Sequence, residues 1–205
     1  MTACPSITRR RVLRLVLGAT ALAAAPSLIH EALAATPAEQ YVERVGNQIL
    51  AIANSGASTS RKRSQFRSVL VNHVDIPTLA TFALGPHARS LDRRHRNEYY
   101  DLLREHIADL FIRNLDDIRG DRLEITGSTR RGNGDYVVTS RILRRSRGDA
   151  PVNWRVISRG GRLRIFDVNI SGVWLAIQLR SEFSSVINRE GGRAEAILGY
   201  LRGRR

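Results

Sequence analysis

Apolar side chains recur along this chain with two different periods, and the change between them divides it in two. Tyr41, Val42, Val45, Ile49 and Ile52 follow one another at spacings of mostly three and four, which predicts a helix with one buried face. A polar break covers residues 54–60, after which helix resumes through Phe66, Val69 and Leu70 and ends near His73. Asp75 stands where a helix cap is expected, Pro77 falls in the first turn, and Gly85-Pro86 closes a short helix. Residues 90–115 predict the longest helix, with Tyr99, Leu103, Ile107, Leu110, Phe111 and Leu115 on one stripe.

After Gly120 the period falls to two. Leu123 and Ile125 alternate, residues 136–143 are rich in strand formers, and Val152, Trp154 and Val156 alternate again. Turns are predicted at residues 131–135, at Gly148-Asp149 and at Gly160-Gly161. In the fourth strand Leu163 and Ile165 share one parity while Phe166, Val168 and Ile170 share the other, which implies a bulge or burial on both faces. The chain then turns at Ser171-Gly172 into a helix carrying Val173, Ala176, Ile177, Phe183, Val186 and Ile187. The expected fold is α+β: a four-stranded antiparallel meander with helices packed on one face, whose adjoining apolar surfaces line a cavity.

The N-terminus is a targeting segment. A charged head, Thr8-Arg9-Arg10-Arg11-Val12-Leu13-Arg14, precedes an apolar run over residues 15–29 and the small-residue site Ala32-Leu33-Ala34. This predicts a cleaved export signal over residues 1–34, possessing the paired arginines of twin-arginine signals, and a single domain over 35–205. The run is too short to span a bilayer. Cys4, the single cysteine, leaves with the signal, so the domain is expected to hold together by its core alone.

The chain carries 33 Lys+Arg against 19 Asp+Glu. Without the signal's four arginines and Glu31, 29 cations remain against 18 anions, a net +11. Such a balance favours anionic partners, but the aromatic-basic strands of RNA readers and the spacing of zinc fingers are missing, so nucleic acid is not expected. Catalysis has equally little support. His73, His87, His95 and His106 lack metal-ligand partners at helical spacing, and the sequence contains no Gly-x-Ser-x-Gly turn and no phosphate-binding loop around Lys62, the single lysine. His73 beside Asp75 is the one acid–base pair that a small hydrolase or isomerase of this architecture would use. No cofactor or metal is called for.

Three blocks of the mature chain stand out: residues 74–85, residues 134–141 with 152–156, and Phe166-Asp167-Val168 through Gly172-Val173 to residues 180–187. In their order and spacing they resemble the MlaC family of periplasmic phospholipid-binding, toluene-tolerance proteins. The chain departs from the family pattern at Pro86-His87-Ala88-Arg89 and at Trp174, both of which bear on lipid identity; a branch associated with hopanoid lipids shares the overall pattern. The resemblance implies a cystatin-like sheet-and-helix domain enclosing a hydrophobic pocket for acyl chains. It also implies a carrier, not an enzyme, that shuttles phospholipid between an outer-membrane lipoprotein complex and an inner-membrane ABC transporter. A monomer suffices for that role.

On that reading the pocket candidates are Ile76, Leu79 and Phe82 on the short helix and Leu103, Ile107 and Phe111 on the long one. Trp154, Val168, Ile170, Val173 and Leu175 join them from the sheet and turn. Arg141, Arg155 and Arg180 are the candidates for a headgroup phosphate at the rim.

Overall fold

The computed structural model of the protein describes residues 35–145 and 147–203. The export signal expected over 1–34 lies outside them. Helix α1 (Pro37–Asn54) opens on a capping box: Thr36 Oγ1 accepts the Glu39 N–H, and the Glu39 carboxylate accepts the Thr36 N–H. Its buried side carries Val42, Val45 and Leu50, and a short irregular link over residues 55–58 leads to α2 (Thr59–His73). In α3 (Ile76–Leu84), Asp75 Oδ1 accepts the Thr78 N–H at 3.0 Å, and Gly85 ends the helix with φ 57°, a conformation that glycine adopts without strain.

Helix α4 (Arg96–Arg113) is shorter than the expected span of 90–115, because residues 93–95 form a 3₁₀ turn before it and the helix ends at Arg113. At 18 residues it equals α1 and does not exceed it. A single turn, α5 (Leu115–Ile118), then leads into the sheet.

Strands β1 (Arg122–Arg130), β2 (Tyr136–Leu143), β3 (Ala150–Arg159) and β4 (Arg162–Ile170) pair antiparallel in chain order. A fifth follows. The Ser171-Gly172 turn does not enter a helix directly but forms β5 (Val173–Trp174), which pairs Ile170 with Val173 and Asn169 with Trp174. Only then does α6 (Leu175–Arg189) begin, followed by α7 (Ala196–Arg202). Of the expected stripe, Ala176, Phe183, Val186 and Ile187 are buried, joined by Leu179, whereas Val173 and Ile177 are 57% and 53% exposed.

The mixed parity of β4 has a clear cause. Arg155 pairs with Asp167 but the next residue, Val156, pairs with Ile165, so Phe166 is an extra residue in the ladder. The bulge resets the alternation. Ile165 before it and Val168 and Ile170 after it all share the face of Val156, Trp154 and Val152, where the helices pack. At the same level the link between α2 and α3 completes the β4 edge: Val74 bridges Ile165, whose carbonyl accepts the Asp75 N–H at 2.9 Å.

Candidate functional site

A cavity of about 400 Å³ lies between the helices and one end of the sheet. Its walls are Gly46, Ile49 and Leu50 of α1, Phe66 of α2, Ile107, Leu110 and Phe111 of α4, and Leu123, Ile142, Val152, Trp154, Val168 and Ile170 of the sheet. The sheet residues belong together because the register places them so: Leu123 pairs with Ile142, Trp154 with Val168, and Val152 with Ile170, which pairs with Val173. Phe66 and Phe111 stack with ring centroids 3.9 Å apart, which joins α2 to α4 along the wall.

The opening is marked by the lining residues that water reaches. These are Asn114, Asp117, Ser171, Val173 and Gln178, whereas Leu50, Phe66, Ile107, Phe111, Ile142, Val152 and Trp154 are buried. Polar groups thus stand at the mouth and hydrocarbon lines the interior, a distribution suited to a ligand with one polar end and a greasy body.

Of the residues singled out from sequence, Ile107, Phe111, Trp154, Val168, Ile170, Val173 and Leu175 line this cavity. Ile76, Leu79 and Leu103 do not border it; at 2%, 1% and 0% exposure they fill the solid core beyond. Phe82 packs edge-on against Phe166, 5.7 Å between centroids, under the Arg180 guanidinium. Sequence periodicity missed the wall of α1, with Gly46, Ile49 and Leu50. Ile49 belonged to the stripe already recognised there, but the strand it would face was not known.

None of the three candidate rim arginines lines the cavity. Arg141 sits on the opposite face of the sheet, its Nε donating to Glu124 Oε2 at 2.9 Å. That contact holds its proton more firmly than usual. Arg155, also on that face, reaches Asp167 at 3.3 Å and lies 4.1 Å over the Trp174 ring. Arg180 covers Phe82 and approaches Gly85. Two cations of the turn between β2 and β3 contact Asp117 at the mouth: Arg147 lies 3.8 Å from its carboxylate and Arg144 donates to its carbonyl. Burial, and then the neighbouring Arg147, pull the Arg144 guanidinium below its ordinary range. Their signal was positional: they follow Ile142 at the end of the sheet that bounds the cavity.

His73 and Asp75 do not face each other as an acid–base pair. His73 Nδ1 lies 3.4 Å from the Tyr41 hydroxyl, which also donates to the His73 carbonyl, while Asp75 caps α3 and approaches Arg159 at 3.7 Å. Neither borders the cavity. Among the described residues no group of three His, Cys, Asp or Glu side chains is arranged to hold a metal ion.

The sequence pattern of the MlaC protein family matches residues 43–201, a span that includes every residue lining the cavity. The chain belongs to the MlaC family. No curated protein sequence matches it. Among solved structures, it is similar to a phospholipid-binding protein from Ralstonia solanacearum, determined in complex with a phospholipid. The two share 19% sequence identity and a TM-score of 0.72 over 82% of this chain and 97% of that one. At that identity the likeness is one of fold, and the five-stranded sheet with its covering helices is therefore an MlaC fold.

Proposed function

We propose that this protein is a periplasmic lipid carrier that holds the acyl chains of a phospholipid in its cavity and moves them between the two membranes. The observation that carries the reading is the cavity itself, apolar inside and polar at its mouth, in a chain of the MlaC family. The fold it shares with the Ralstonia solanacearum protein, which was solved with a phospholipid bound, adds support.

The physical problem such a carrier solves is the cost of wetting hydrocarbon. Each methylene moved from a bilayer into water costs about 0.8 kcal/mol, so a sixteen-carbon chain costs on the order of 10 kcal/mol. A dry pocket removes most of that penalty by replacing the membrane interior. In this reading Phe66, Ile107, Phe111, Val152, Trp154 and Ile170 surround the tails, and the headgroup stays at the mouth near Asn114 and Gln178, with Arg144 and Arg147 held there through Asp117. The chain is exported with residues 1–34 as its signal, and its partners are an outer-membrane lipoprotein complex and an inner-membrane ABC transporter. Transfer in one direction then requires a partner that binds the carrier with its cavity opened or distorted.

The test is to purify the exported protein, extract it with organic solvent and identify co-extracted lipid by mass spectrometry. Loaded protein, or uptake from labelled vesicles by emptied protein, is expected. Absence of both would remove the carrier reading.

A further inference from the structure

The cavity lining stops abruptly along β3, β4 and α4. On β3, Val152 and Trp154 line it but Val156, 0% exposed, does not; on β4, Ile170 and Val168 line it but Ile165 does not. On α4 the change falls between Ile107 and Leu103. Past these points the interior is solid, and the largest side chain at the boundary is Trp154.

The Trp154 indole is held in place by hydrogen bonds, not by packing alone. Its Nε1–H donates to Ser140 Oγ at 2.9 Å, and the same hydroxyl donates to the Val152 carbonyl at 2.9 Å. Both residues are buried, 5% and 4% exposed, so releasing the indole would leave a buried polar group unpaired. The ring keeps one orientation.

The opposite wall is equally specific. Gly46 lies inside α1, where glycine costs about 1 kcal/mol relative to alanine. A Cβ at that position would stand 2.4 Å from Leu123 Cδ2 and 3.5 Å from Trp154 Cζ2. The missing side chain therefore leaves room for Leu123 and the indole, both of which line the cavity.

We propose that Trp154, fixed by Ser140 and faced by Gly46 and Leu123, is the stop that sets how long an acyl tail the cavity accepts. This inference rests on the carrier reading above and specifies its substrate by tail length.

The test measures binding of phosphatidylglycerols of graded tail length to the exported, delipidated protein. For the wild type, each added methylene should tighten binding about fourfold until the tail meets the stop, and then add nothing. Trp154→Leu should move that break to tails longer by about two methylenes, so that the longest lipid binds about 15-fold tighter than to the wild type. Gly46→Ala, whose methyl would take up space beside Leu123 and Trp154 at the cavity wall, should move the break to shorter tails and decides the question alone if Trp154→Leu does not fold. A break that stays put in folded Trp154→Leu, or in Gly46→Ala, overturns the assignment while leaving the carrier reading intact. If the wild type binds no tail length at all, the carrier reading itself falls.

Discussion

The Asp167 carboxylate on β4 accepts the backbone N–H of Ala176 at 2.9 Å and so caps a helix whose own N-cap residue, Trp174, makes no side-chain cap. The same Oδ1 accepts the Val168 N–H at 2.9 Å, and Arg155 approaches Oδ2 at 3.3 Å. One buried carboxylate thereby ties the end of the sheet to α6, whose first residue, Leu175, lines the cavity. Asp167→Ala should cost about 2 kcal/mol through the lost cap and the orphaned N–H groups. For a domain of this size that lowers the melting temperature by about 4–8 °C, measurable by calorimetry.

Asp167→Asn keeps an acceptor and separates the charge from the cap. Burial raises the Asp167 pKa above its ordinary 3.8, outweighing the two backbone N–H groups and Arg155. The folded state therefore holds the proton to higher pH than the unfolded chain does. Its contribution to stability is full below about 3.8 and is lost as pH rises through the raised folded value. Urea unfolding at a series of pH values should show this decline in the wild type and not in Asp167→Asn. Equal slopes in the two proteins would refute the assignment.

His73 has the opposite sign. Burial, then Arg164 and Arg44, lower its pKa below 6.5, so the fold favours the neutral ring. Its contribution is full above 6.5 and is lost as pH falls through the lowered folded value. An NMR titration should place the His73 midpoint below 6.5, and His73→Gln should flatten the stability profile in that window. A midpoint at or above 6.5 would contradict the burial described here.

Ile170 is half-buried, lines the cavity and sits between Val152 and Val173 in the sheet. An indole at that position has empty space to enter, so Ile170→Trp should reduce lipid loading about tenfold or more while changing stability by about 1 kcal/mol or less, a shift of at most about 4 °C in melting temperature. Mass spectrometry of extracted lipid and a thermal melt check both halves. Val173→Glu is the weaker perturbation, because Val173 is 57% exposed and the carboxylate there can remain in water.

Local signals were strong wherever a residue's role depends on its neighbours in the chain. Asp75, Pro77 and Gly85 bound α3 as expected, since capping and glycine conformations are settled within a few residues. The parity break in β4 pointed to a bulge, and Phe166 is that extra residue. The short β5 was harder to see, because a two-residue strand has no period of its own and exists only through its pairing with Asn169 and Ile170. Arg141 and Arg155 stand away from the cavity for a related reason. Which face a strand residue takes depends on register, and here it places them across the sheet from the cavity.

The order of helices and strands, the apolar set from which the interior is made and the family of the chain all follow from residue types and spacing. Whether an apolar residue borders open space or solid core does not. Leu103 and Ile107 lie one turn apart on the same stripe of α4, yet the first is packed on all sides and the second lines the cavity. Both are driven from water by the same free energy per unit area. They differ only in whether atoms from a distant strand or helix stand opposite, and that is decided when the folded chain brings Gly46 against Trp154 and the bulge at Phe166 turns Val168 and Ile170 to the helix side.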